Sequence, residues 1–172
     1  MSAYKRIDQV VSAIATVHCT VKTEIGYKES IAQLLTQLGD LNHYEQCSCS
    51  FVSPYFTLVP TALFASSKPE ELLQFTVEHT VPKGETDYNR LPEWNLVVIY
   101  QMPLWVKSAL VVKMPRIVIQ HELAHVLRHM NTGSTIPLKT QVILQENTFS
   151  IVIRKDGVIA HASVQEYQNA ED

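Results

Sequence analysis

With only 5 glycines, 3 cysteines and 14 basic side chains among 172 residues, the chain is short of material that several function classes need. Glycine comes first. There is no G-x-x-x-x-G-K, no G-x-G-x-x-G and no G-x-S-x-G, so a phosphate-cradling loop or a nucleophile elbow has little to be built from. Three cysteines is an odd, low number and no N-x-S/T sequon occurs; both argue against a disulfide framework and for a reducing cytoplasm. The formal net charge of −3 is unlike the basic footprint of a nucleic-acid binder. No apolar run approaches the ~20 residues that cross a bilayer. Ser12, Thr16 and His18 interrupt the apolar core a signal peptide would need. The expectation is a cytoplasmic protein that meets neither nucleic acid nor membrane.

What the chain does have is an ordinary globular composition, 46% hydrophobic and 18% charged. That is enough for one domain, or one domain and part of another. Residues 7–22 are rich in Val, Ile and Thr and alternate in their second half, predicting one long strand or two short ones. Apolar residues at helical spacing predict a helix over 27–38, stopped by Gly39. Residues 44–60 read as extended, with Glu45, Cys47, Cys49 and Phe51 on one face. Ser67, Pro69 and Glu70 carry the signature of a capping box opening a helix that ends near Val77. Residues 80–94 read as a loop. The run NLVVIY at 95–100 reads as a strand covered on both faces, and 103–112 as a short helix opened by proline. A strand at 117–119 leads into a helix over 121–130. Strands at 141–144, 149–154 and 158–163 close the chain as a meander, with Lys155-Asp156-Gly157 as its tight turn. Alternating strands and helices imply a largely parallel sheet with helices on both faces.

The sharpest motif is His121-Glu122-Leu123-Ala124-His125, the H-E-x-x-H pattern of zinc peptidases. At about 100° per residue, Leu123, Val126, Leu127 and Met130 share one side with Ile119, while His121, Glu122, His125, Arg128 and His129 share the other. In the metal reading His121 and His125 hold Zn, and Glu122 is the general base for peptide hydrolysis. In the plain reading these residues are the polar face of a packing helix. The context favours the plain one. The extended pattern with a third histidine would need Gly at position 128 and His at 131, where Arg128 and Asn131 stand. Glu146 is the best downstream third ligand, at a strand–turn junction. No metal ligand and no catalytic residue is therefore assigned, and His121, His125 and Glu122 stay as the alternative.

Lesser constellations read more plainly still. Cys47-x-Cys49 has no second pair, although Cys19 and His18 would be neighbours if their strands paired; buried apolar cysteine is the simpler account. Trp94 and Trp105 flank the NLVVIY strand as core and rim. Arg154 and Lys155 beside Asp156-Gly157 read as surface residues of a turn rather than a phosphate hairpin.

The segments FTLVP at 56–60 with Leu63-Phe64, the helix over 70–76, the VVIYQMP strand with its exit proline, the step into His121, the hairpin FSIVIRKDGVIAHAS and the closing EYQNAED together cover about two-thirds of the chain. In these the chain resembles a bacterial family of unknown function whose members are similar to actin-like ATPases with two ribonuclease-H-like subdomains. The resemblance implies an α/β fold: a mixed sheet flanked by helices over residues 1–133, then antiparallel strands over 134–172 that open a second subdomain. It implies a short or partial member, with the first hairpin short or missing. It implies nucleotide binding by analogy only, because actin-like ATPases hold phosphates with Asp-Gly hairpins and a carboxylate on Mg²⁺. Here Asp8 has no glycine after it, so no cofactor-binding residue is carried over.

The reading is a non-catalytic binding or scaffold protein with a protein partner or a second copy, paired through strand edges after Ser163. A zinc metallopeptidase and a nucleotide-binding switch related to pilus-assembly actin homologues are the alternatives.

Overall fold

The structure, a computed structural model, describes residues 2–5, 11–14, 24–37, 47–130, 136–145 and 148–167. The chain divides into two compact units, Met1–Cys47 with Trp105–Ile117, and Ser48–Leu104 with Val118–Asp172.

In the first unit β1 (Ser2–Lys5) and β2 (Val11–Ile14) form an antiparallel hairpin with Ser2 opposite Ile14. The first hairpin is thus present, with four-residue strands. The rest of the strand expected over 7–22 falls outside the described residues. α1 spans Glu24–Gln37, starting earlier than its apolar spacing suggests, and α4 (Leu104–Lys113) runs mostly in the same unit. Lys28 Nζ lies 5.5 Å from the centre of the half-buried Trp105 ring, a cation over its face.

The second unit is organised by β6 (Leu96–Gln101), the middle strand of an antiparallel sheet ordered β4 (Phe56–Pro60), β6, β5 (Thr86–Leu91). Val97, Val98, Ile99 and Tyr100 have no exposed surface, which confirms a strand covered on both faces. Val97 and Ile99 pack with Val59, Phe64, Leu72 and Leu73. The last three belong to α2 (Thr61–Ser66) and α3 (Pro69–Gln74). The opposite face carries Tyr100, whose ring centre lies 6.3 Å from Phe51 and 5.1 Å from His121. β3 (Cys47–Phe51) pairs with β7 (Ile117–His121), which runs into α5 (Glu122–Met130).

Three expectations are corrected here. Residues 86–91 form β5, not loop: the strand is an edge, its one fully buried side chain is Leu91, and a polar edge strand looks like loop in composition. The short 3-10 turn at Pro92–Trp94 and Asn95, at φ 53°, turn the chain back so that β5 and β6 run antiparallel. That makes this three-stranded sheet antiparallel, where the alternation of elements suggested parallel neighbours. The capping box at Ser67 and Glu70 does not form; α3 starts one residue later, with Lys68 as its N-cap and Pro69 in the first turn, and no side-chain hydrogen bond closes it.

The chain ends its described part in a meander ordered β10 (Val158–Glu166), β9 (Thr148–Lys155), β8 (Leu138–Leu144). Asp156 and Gly157 link β9 to β10 at φ 50° and 83°. Two consecutive positive φ values give the twist a tight hairpin requires. Along β9, Ser150, Val152 and Arg154 are buried. The other face is different: on β8, Leu138, Val142 and Leu144 are all more than half exposed, and so is Val158 of β10. Register places Val142 opposite Ile151 and Leu144 opposite Phe149 on that face.

Substituting Gly157→Ala should lower stability by about 1 kcal/mol, because a Cβ is disfavoured at that φ although nothing crowds it. Asp156→Gly should leave stability nearly unchanged; urea unfolding midpoints of the two variants check the contrast.

Candidate functional site

His121 is the last residue of β7 and the cap of α5, so its side chain belongs to the helix start rather than to a helix face. It has no exposed surface. Its Nδ1 accepts the Leu123 N–H at 3.1 Å, satisfying one of the orphan donors of the helix N-terminus as a Ser or Asp cap would. Its Nε2–H donates to the Ser53 carbonyl at 2.9 Å. These partners ask opposite things of the ring: an N–H needs a bare nitrogen, and a carbonyl needs a protonated one. They fix one neutral tautomer. The rings of Phe56 and Tyr100, at 5.2 and 5.1 Å between centres, enclose it. Burial pushes its pKa down to about 4, with the Ser53 carbonyl opposing that shift. The His121 backbone N–H donates to Asn89 Oδ1 at 2.6 Å, and Asn89 Nδ2 donates to the Ile119 carbonyl at 3.1 Å. A strand that composition hides thus supplies the side chain that sets the β7–α5 junction.

Glu122 is also buried. One carboxylate oxygen accepts from the Ser150 hydroxyl of β9, the other from the Gln145 amide just after β8. The carboxylate is therefore spent on the meander. His125 is exposed, with Nδ1 3.4 Å from the Gln120 amide nitrogen and its ring 4.5 Å from that of His129, edge to face. Its pKa is lowered, first by partial burial and then by the neighbouring His129 and Arg128, with Glu122 acting the other way.

So the motif does not converge. A zinc ligand needs a free imidazole lone pair, and His121 has one nitrogen capping a helix and the other protonated toward a carbonyl. Glu122 turns to the meander and His125 turns out. The expectation that all of them sit on a polar outer face is corrected for His121 and Glu122. The reason is that α5 touches β5 and also β9, so six of its nine residues are buried. Among the described residues no three His, Cys, Asp or Glu side chains form a metal-holding group. Glu146, His18 and Cys19 lie outside the described residues. Cys47 and Cys49 share the half-buried face of β3 as expected, and burial raises the Cys49 thiol pKa.

The other end of α5 is held as firmly. Arg154 is buried and donates to the Met130 carbonyl at 3.4 Å and the Ile136 carbonyl at 3.0 Å. A guanidinium at a helix C-terminus meets both its bare carbonyls and its dipole. The reading of Arg154 as a turn-surface residue is corrected; Lys155, next to it, is exposed. Trp94 Nε1 donates to the Leu127 carbonyl at 2.8 Å, giving that ring an anchoring task that its position beside a strand does not announce.

The family model for "Protein of unknown function (DUF3822)" matches residues 4–172. The chain belongs to the DUF3822 family. A solved structure from Bacteroides thetaiotaomicron VPI-5482, described as a protein with actin-like ATPase fold and unknown function, superposes on the DUF3822 chain with a TM-score of 0.74 at 17% identity. The match covers 98% of this chain and 66% of that one, so the DUF3822 chain spans just under two-thirds of its structural neighbour. No curated protein matches. The fold is therefore that of actin-like ATPases, as the framework residues imply, and identity this low shows the fold alone.

Because native His121 is neutral and the unfolded ring takes a proton near pH 6.5, the unfolded state binds more protons between pH 6.5 and 4. Its contribution should be full above pH 6.5 and lost as pH falls toward 4, by about 3 kcal/mol across that window. Chemical denaturation from pH 7.5 to 4 should show this slope in the natural protein. It should show a flatter one in His121→Asn, which keeps a capping oxygen and does not titrate.

Proposed function

We propose that this DUF3822 protein is a non-catalytic binding or scaffold protein of the cytoplasm, built on an actin-like ATPase frame. The observation that carries this reading is the outer face of the meander. Leu138, Val142, Leu144 and Val158 lie exposed on one side of the sheet, and among the described residues β8 is an edge that no further strand pairs. Apolar faces of this kind mark contact surfaces, and an open edge adds unpaired backbone donors and acceptors. Nothing in the comparisons or in the site supports the zinc metallopeptidase or the pilus-related nucleotide switch. The one catalytic-looking motif is occupied in holding α5.

The partner that β8 fits is a second copy of the chain. Antiparallel pairing of β8 with itself about Gln141 sets Leu138 against Leu144 and Thr140 against Val142 on the apolar face. Its one charge, Lys139, then meets Ile143 on the other face. In this reading residues 1–133 are the first subdomain, and the strands over 134–172 open a second one whose sheet the copy extends at β8, joining the two apolar faces side by side. The edge at β10, after Ser163, is more polar and fits a partner less well than the β8 edge.

Light scattering on the eluting protein should give the mass of a dimer, and Val142→Lys with Leu144→Lys should give a monomer whose own stability changes by no more than about 0.5 kcal/mol. A monomer at every concentration rejects the second copy. A saturable thermal shift with ATP and Mg²⁺ would reject the non-catalytic scaffold in favour of the nucleotide switch.

A further inference from the structure

His125 and His129 stand one turn apart on α5, both exposed, with ring centres 4.5 Å apart at 69°. Residues at i and i+4 on a helix point the same way, with Cβ atoms about 5–6 Å apart. A single metal ion can bridge two imidazoles at that spacing. We propose that His125 and His129 form a two-imidazole chelate for a divalent late first-row transition ion, with copper bound more tightly than nickel or zinc. The ranking follows the general order of affinities for nitrogen ligands. The chelate is separate from the His121–Glu122–His125 reading, since it uses neither the buried ring nor the carboxylate.

Three features of the surroundings favour it. The helix is anchored at both ends, by the His121 cap and by Arg154, and through Trp94 in between, so the two rings start from a fixed backbone. Gln120 meets His125 at Nδ1, which leaves Nε2 as the ligating atom. Arg128, the cation closest in sequence, has its guanidinium bonded to Gln120 Oε1 and to the Arg90 carbonyl at 3.3 Å. Two protein ligands leave the remaining positions to water, so the site is an open one, able to take a further donor from a bound molecule.

The test uses the full chain and Cu²⁺ alone, titrated calorimetrically and followed by electron paramagnetic resonance. One equivalent should bind, with hyperfine structure from two imidazole nitrogens. His125→Ala and His129→Ala should each weaken binding about tenfold or more and leave one nitrogen in the spectrum. Both side chains are exposed, so the variants should keep the circular dichroism spectrum of the natural protein. His79→Ala and His161→Ala, elsewhere in the second unit, should bind Cu²⁺ as the natural protein does. Unchanged affinity in the double variant His125→Ala/His129→Ala, or a one-nitrogen spectrum in the natural protein, overturns the proposal.

Discussion

One imidazole bridges two buried backbone groups. The Leu123 N–H at the head of α5 and the Ser53 carbonyl after β3 both belong to buried residues, and His121 serves them together. A buried backbone group left without a partner costs about 1–3 kcal/mol, so removing this ring loses far more than one contact. The same ring packs on Phe56 and Tyr100. It therefore ties a strand exit, a helix start and the central sheet to one point. Only a neutral ring in one tautomer can do this. The demand for neutrality follows from the burial, and the tautomer follows from the two partners.

From that point the polar side chains of α5 fall into a mechanical order. Glu122 sits in the first turn, where a carboxylate suits the positive end of the helix dipole, and Arg154 sits at the last carbonyl, where a cation does. Each also reaches the meander: Glu122 accepts from Ser150, and Arg154 belongs to the same strand, β9. The meander is thus fastened to both ends of one helix by charged groups, with buried Val152 lying between Ser150 and Arg154 along β9. Buried charges survive because they are paired or bonded at helix ends. A pattern that in another setting prepares a metal and a base here prepares two ends of a splice.

Most of the framework could be read from the sequence, because it rests on periodicity. The strand at 95–100, the helix after it, the β7-to-α5 step and the hairpin at Asp156-Gly157 all follow from local pattern. The actin-like fold followed from recognising that framework as a whole. What the sequence hid depends on distance along the chain. β5 looks polar because it is an edge, and the importance of Asn89 shows only when Ile119 and His121 arrive beside it, 30 and 32 residues later. A helical wheel puts His121 and Glu122 on a polar face because it knows one helix and no neighbours. The wheel has no place for a second packing surface, and β9 is that surface. Arg154 misled for the same reason: next to a turn, its local context is solvent, and its real partner is a helix end 24 residues upstream.

The likeness of fold at 17% identity follows from the same physics. A central strand buried on both faces tolerates many apolar sequences, provided that volume and alternation are kept. The frame can therefore persist while its polar residues are reassigned. Phosphate chemistry is less forgiving, since it needs particular carboxylates and a backbone able to approach the ligand closely. A chain with 5 glycines has few places where its backbone can make such an approach. Here the polar residues around α5 hold elements together, and the outer face of the meander leaves Leu138, Val142, Leu144 and Val158 exposed. Both facts are what the proposed scaffold reading rests on.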